Sequence, residues 1–186
     1  MLKISSRTLT VIVSSIFMLI MNYKVWCIYF SARSIDSITS VSELITFGLF
    51  LFFLMMALFS IFAFKHIQKP ALIFLFLSAS IAMYFSNTLN VYFDVDMIAN
   101  IFETDYREAT ELIVKPLFVS ILLFGILPTL MIYILDIQYL TLKKQTFQNT
   151  ALVFISLSAA VLVALPHYAS HSSFVRSNNI ALRGSI

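Results

Sequence analysis

The stretch LITFGLFLFFLMMALFSIFAF, Leu44 to Phe64, decides the fold class, because it runs without a single charge and leaves no polar face on any helix drawn through it. An α-helix rises about 1.5 Å per residue, so about 20 such residues cross the roughly 30 Å hydrocarbon core of a bilayer. A helix that is hydrophobic all round has nothing to offer water and reads as a membrane span. Ala71 to Phe93 and Leu117 to Leu135 have the same uncharged character. Thr8 to Phe30 is a further span interrupted by Lys24, and the uncharged run from Gln145 to Val175 holds another, between Thr150 and Pro166. Composition agrees: of 186 residues 60% are hydrophobic and 11% charged, against about 25% charged in ordinary soluble proteins. The expected fold is all-α and integral to the membrane. Five transmembrane helices at about 8–30, 44–64, 71–93, 117–135 and 150–166 would make one domain over 1–166, followed by a short polar tail, 167–186.

Other function classes drop out quickly. Cys27 is the lone cysteine and has no partner for an intrachain disulfide. His66, His167 and His171 are scattered, without the Cys or carboxylate spacing of a metal site, and read as interface residues. The net charge of +3 is spread along the chain and leaves no nucleic-acid footprint. Lys3 and Arg7 precede the first apolar run, which continues past the roughly 7 to 15 residues of a signal-peptide core, so an uncleaved anchor is expected. Tyr23, Trp26 and Tyr29 near its far end read as an interfacial aromatic belt.

Orientation follows from where the basic residues lie. Lys3, Arg7, Lys65, Lys69, Lys143 and Lys144 fall in one alternating set of short, acid-poor connections, which places the N-terminus in the cytoplasm. The other set, with the C-terminal tail, lies outside. Pro70 and Pro116 mark helix starts, where a missing N–H costs nothing. Gly125 and Pro128 predict a kink in the fourth span, and Pro166 ends the fifth.

The segment between spans three and four breaks the apolar pattern. DVDMIANIFETDYREATELIVK, Asp94 to Lys115, holds six of the nine acidic residues. Ionisable groups are costly inside a bilayer, so such a segment sits at the membrane surface or lines a site beside it. As a helix, Ile98, Ile101, Phe102, Ala109, Leu112 and Ile113 make an apolar face that lies along the membrane. Asn100, Thr104 and Glu108 follow at four-residue steps along its edge. That stripe suits a lipid headgroup: the Glu108 carboxylate pairs with an ammonium, while Asn100 and Thr104 offer hydrogen bonds to hydroxyl or phosphate oxygens. A structural reading stands beside it. Asp105 falls within the apolar face and pairs with Glu108 as a capping motif for a second short helix, with Thr104 in a turn.

The string DMIANIFETDYREATELI, flanked by spans, together with YASHSSFVR after the fifth span, resembles the N-terminal membrane domain of the bacterial phosphoethanolamine transferases. That family includes lipid A modifying enzymes and the mobile colistin-resistance enzymes. The pattern is carried by Met97, Ile98, Asn100, Thr104, Glu108 and Ala109, then by Tyr168, Ser173, Phe174 and Arg176. The resemblance implies five spans, a periplasmic C-terminus in the bacterial inner membrane, and a phosphatidylethanolamine site to which Asn100, Thr104, Glu108 and, more weakly, Tyr92 contribute. It also implies a soluble catalytic domain with a threonine nucleophile and zinc, of which these 186 residues carry no counterpart.

The expected function is therefore that of a transferase membrane domain. The complete enzyme would move phosphoethanolamine from phosphatidylethanolamine, through a phosphothreonine, to lipid A or lipopolysaccharide. This part would anchor it and help bind donor and acceptor lipids, with no catalytic residue or cofactor of its own and no activity alone. Two alternatives stay open: a stand-alone lipid-binding membrane protein that regulates or partners a full-length transferase, and a structural membrane protein whose acidic segment caps and packs. No nucleic-acid partner is expected and no oligomeric state is assigned.

Overall fold

The computed structural model describes residues 3–32, 37–88, 115–168, 172–173 and 176. They fall into two compact units, one of Ser5–Phe64 with Tyr139–Ile186 and a smaller one of Met1–Ile4 with Lys65–Gln138. Among the described residues four helices are long and apolar enough to cross a membrane: Ile38–Ile61, Gln68–Asn87, Lys115–Ile134 and Leu142–His167. A bent pair, Ser6–Met21 and Tyr23–Ser31, makes a fifth if it is one span. The chain is thus an all-α, multi-pass membrane domain. The acidic segment expected to lie along the membrane surface falls outside the described residues.

In the larger unit α1 (Ser6–Ile16) starts from Ser5, whose side chain accepts the Thr8 N–H at 3.1 Å. Leu9, Val13 and Phe17 recur along its buried side with Ser6, Thr10 and Ser14, and the Phe17 ring meets Phe59 of α3 (Ile38–Ile61) edge-on at 4.8 Å. A π-helical turn, Phe17–Met21, then leads to a 51° bend before α2 (Tyr23–Ala32). The break falls at Asn22, two residues before Lys24. The Asn22 backbone N–H and side-chain Nδ2 both donate to the Phe17 carbonyl, at 3.1 and 2.8 Å. The Trp26 indole N–H caps the Met18 carbonyl at 2.7 Å. Carbonyls freed by the bend therefore keep partners, as a low-dielectric setting demands. Trp26 and Tyr29 also depart from the belt expected of them: Tyr29 is 1% exposed and stacks on Phe47 at 4.9 Å, while Trp26 packs edge-on to Phe47 over the bare Cα of Gly48.

Helix α3 opens with a capping box between Ser37 and Ser40, six residues before the apolar run begins. It packs along α5 (Leu142–Ala164), which ends in a 3-10 turn, Leu165–His167, at Pro166. The helix starts eight residues before Thr150, so Lys143 and Lys144 lie on its first turn and not in a loop. Polar side chains are buried and large apolar ones exposed along these helices. Ser6, Thr10, Ser14, Ser60, Gln145, Asn149 and Ser156 are buried, while Phe147, Phe154, Ile155, Val161 and Leu162 are exposed. Lipid is as apolar as Leu, so helix association draws on small residues and interhelical hydrogen bonds, which the interior holds beside the packed rings of Phe17, Tyr29, Phe47 and Phe59.

The smaller unit is built on α4 (Gln68–Thr88) and the fourth span, which runs as helix Lys115–Ser120, π-helix Ile121–Ile126 and helix Leu127–Ile134. The expected kink at Gly125 and Pro128 takes the form of this π-helical stretch, and the span still counts as one helix. Proline removes one ladder hydrogen bond and crowds the carbonyl four residues back, and a wider turn before it accommodates both. Gly125 has a packing role as well: a Cβ there would lie 2.7 Å from Ser80 Oγ and 3.2 Å from Leu77. At the far end Lys69 Nζ donates to the Tyr133 and Leu135 carbonyls at 3.0 and 2.8 Å, placing a cation on a helix C-terminus. The short strands Lys3–Ser5 and Asp136–Gln138 pair in a two-stranded sheet, a small addition to the expected all-α fold.

Candidate functional site

The four residues that the sequence singles out, Tyr92, Asn100, Thr104 and Glu108, lie outside the described residues. What the structure gives is the frame from which their segment springs. Ser120 Oγ donates to the Ser80 carbonyl at 3.1 Å, and Gly125 lets the same stretch of α4 close on the fourth span. From Ser80 the helix climbs about 12 Å to Thr88, and Lys115 stands about 8 Å beyond Ser120 in the opposite chain direction. The described helix ends that flank the acidic segment in sequence, Thr88 and Lys115, thus lie toward the same end of the smaller unit.

The larger unit carries two polar clusters, one at each end of α3. At its C-terminal end the Ala63 carbonyl accepts Gln145 Nε2 at 3.0 Å, Asn149 Nδ2 at 3.0 Å and Ser6 Oγ at 3.4 Å. Gln145 Nε2 also donates to Asn149 Oδ1 at 2.9 Å, and Gln145 Oε1 accepts the Leu140 N–H at 3.0 Å. Ser6, Ala63, Gln145 and Asn149 are each 3% exposed or less. Fully satisfied and closed to solvent, this cluster joins α1, α3 and α5 and offers nothing to a ligand.

The second cluster sits where α3 begins and α5 ends. Ser42 Oγ lies 3.1 Å from His167 Nε2, and His167 Nδ1 lies 3.9 Å from Glu43 Oε1. Serine, histidine and glutamate together suggest nucleophilic catalysis, but the proton count argues otherwise. The Ser42 hydroxyl donates to the Thr39 carbonyl at 2.8 Å, so toward His167 it acts as acceptor of the Nε2–H and is not activated. The cluster fastens the end of α5 to α3, and His167 is the residue from which the polar tail leaves. Sequence reading treated His167 as one more interface histidine. The missed signal was Glu43, an acid directly before an uncharged apolar run.

Among the described residues no three His, Cys, Asp or Glu side chains come together in a way that could hold a metal ion. Outside the spans, burial pushes the Tyr139 phenol up to about 12. Its hydroxyl finds no hydrogen-bond partner among the described residues.

Similarity to known proteins points in one direction. Over 114 residues the chain is 26% identical to phosphatidylethanolamine transferase Mcr-1 of Escherichia coli, covering 61% of this chain and 21% of that protein. It is 32% identical over 82 residues to phosphoethanolamine transferase EptA of Helicobacter pylori, covering 44% of this chain and 16% of that one. The chain thus spans about a fifth of the length of these relatives. The fold is that of the membrane protein lipooligosaccharide phosphoethanolamine transferase A from Neisseria meningitidis, with a TM-score of 0.87 at 23% identity over 96% of this chain and 33% of that one. A family model described as phosphoethanolamine transferase EptA/EptB matches residues 51–186. With that match covering well over half of its length, the chain belongs to the phosphoethanolamine transferase EptA/EptB family and represents the family's N-terminal membrane domain.

Proposed function

We propose that this domain anchors a phosphoethanolamine transferase in the bacterial inner membrane and presents it with its lipid donor. In this reading residues 1–166 form the transmembrane domain, with the N-terminus cytoplasmic and the tail, 167–186, periplasmic. The segment 94–115 lies at the periplasmic surface. Asn100, Thr104 and Glu108, with Tyr92, receive the headgroup of phosphatidylethanolamine, and Glu108 pairs with its ammonium. The relatives' names, phosphatidylethanolamine transferase and lipooligosaccharide phosphoethanolamine transferase, support a lipid donor and a lipid A type acceptor. The chemistry belongs to a catalytic domain that brings its own zinc, and this chain binds lipid without turning it over.

The observation that carries the reading is that the family match includes the acidic segment, the part of the chain whose composition least suits a bilayer. The described helices that flank it in sequence, α4 and the fourth span, pack together through Gly125 and Ser80.

Glu108→Gln is the test. A charge-assisted contact is worth about 1.5 to 3 kcal/mol, so the variant should bind phosphatidylethanolamine about tenfold or more weakly. The effect on phosphatidylglycerol should be smaller and the melting temperature unchanged. Native mass spectrometry, or quenching of the single tryptophan, Trp26, by both lipids reads the preference. An unaltered preference with a lowered melting temperature would make Glu108 a helix cap.

A further inference from the structure

Three cations are gathered on the larger unit by the hydrogen bonds at Ala63. Ser6 and Gln145 both reach that carbonyl, at 3.4 and 3.0 Å. The residues one or two positions from them in the chain, Arg7 on α1 and Lys143 and Lys144 on α5, are therefore held around one end of the helix group. All three side chains are exposed. Among the described residues of this unit the single carboxylate is Glu43, near the other end of α3 and about 27 Å along the helix from Ile61. No ion pair with any of the three cations occurs among the described residues. Large apolar side chains lie bare beside the two lysines: Leu140 is 49% exposed, Leu142 74% and Phe147 79%.

This combination matches the boundary of a bilayer. Exposed Leu and Phe side chains next to lysines belong where acyl chains meet headgroups, with the apolar side chains inserted and the ammonium groups reaching outward. A soluble surface with Leu142 and Phe147 this bare would be an association liability. Cations in such a position meet lipid phosphates, and phosphate oxygens accept hydrogen bonds from guanidinium and ammonium groups.

We propose that Arg7, Lys143 and Lys144 form a binding surface for anionic phospholipids, taking the phosphates of phosphatidylglycerol or cardiolipin where α1 and α5 begin. This surface is independent of the donor-lipid reading, since it uses other residues and selects negative headgroups over the zwitterionic phosphatidylethanolamine. The same cations bias orientation during insertion, but that action ends once the helices are placed and requires no retained lipid.

The experiment separates these two roles. The full chain is placed in nanodiscs of phosphatidylethanolamine with a minor fraction of phosphatidylglycerol and cardiolipin, and the lipids retained on release are counted by native mass spectrometry. Both faces of a nanodisc carry the same lipids, so a change of orientation leaves the readout untouched. The wild-type chain should retain anionic lipid above its bulk fraction. Arg7→Gln, Lys143→Gln and Lys144→Gln should each lower that excess, by about fivefold per cation at low salt. Lys143→Arg with Lys144→Arg should preserve it, and helicity by circular dichroism confirms that each variant is folded. Retention at the bulk fraction by the wild type, or an undiminished excess in the folded triple Gln variant, overturns the proposal. So does displacement of the lipid by millimolar inorganic phosphate at constant ionic strength, which would assign the surface to a soluble anion.

Discussion

The Gln145 side chain donates to the Ala63 carbonyl at 3.0 Å across 82 positions of sequence, tying the first turn of α5 to the chain just beyond α3. Helix C-termini leave carbonyls without intrahelical partners, and a buried end must find donors elsewhere. Here two amides and a hydroxyl meet on one oxygen.

Gln145→Leu keeps the volume and removes both the donor and the acceptor of the Leu140 N–H. It should cost about 1 to 3 kcal/mol, the usual penalty for stranding buried polar groups. Asn149→Ala should cost less, because Gln145 still holds the Ala63 carbonyl. The double variant should lose more than the two single losses added, since only the Ser6 contact at 3.4 Å then remains. Denaturation in detergent followed by circular dichroism measures all three. A melting temperature for Gln145→Leu equal to the wild type would mean that the cluster is ornamental.

The approach of Gly125 to Ser80 yields a prediction of the opposite kind, overpacking relieved at a second site. A Cβ at position 125 would meet Ser80 Oγ at 2.7 Å, while Ser80 Cβ lies at an ordinary 3.4 Å. Gly125→Ala should therefore destabilise by about 1 to 3 kcal/mol. Adding Ser80→Ala removes the oxygen and should recover much of the loss, leaving the Leu77 contact at 3.2 Å to relax. Thermal unfolding of the two variants decides it. A double variant no more stable than Gly125→Ala would show that the helices are kept apart by something else.

The spans were legible because a bilayer leaves the sequence little choice: charge-free runs of about 20 residues admit almost one reading. Helix ends were less so. Ile38 to Glu43 and Leu142 to Asn149 continue α3 and α5 beyond the apolar runs, since Ser37 caps one and Gln145 and Asn149 are buried by contacts remote in sequence. The bend at Asn22 has no signal in the sequence, because an amide that turns on its own backbone is inconspicuous in an apolar run beside the charge of Lys24. Trp26 and Tyr29 went to packing for a related reason: aromatic side chains near a helix end satisfy either role, and Phe47 and Gly48 on α3 decided it. Of the candidate site, Asn100, Thr104 and Glu108 rest on spacing and resemblance and lie outside the described residues, and the structure adds the packing of α4 on the fourth span at Ser80 and Gly125.

Tyr139 gives a pH test outside the spans. Burial raises its phenol from 10.0 to about 12. In the unfolded chain the phenol ionises near the ordinary value, whereas the folded protein holds its proton about two units longer. Between pH 10 and 12 the folded state thus binds more protons than the unfolded state, and stability falls as pH rises through that window. Tyr139→Phe removes both the titration and a buried hydroxyl with no partner among the described residues. At neutral pH the variant should be as stable as the wild type or slightly more so. Above pH 10 its melting temperature should decline less steeply, and phenolate absorbance should lose a component that ionises near pH 12. Parallel melting curves for the two proteins across pH 9 to 12 would show that the Tyr139 hydroxyl is open to water and titrates freely.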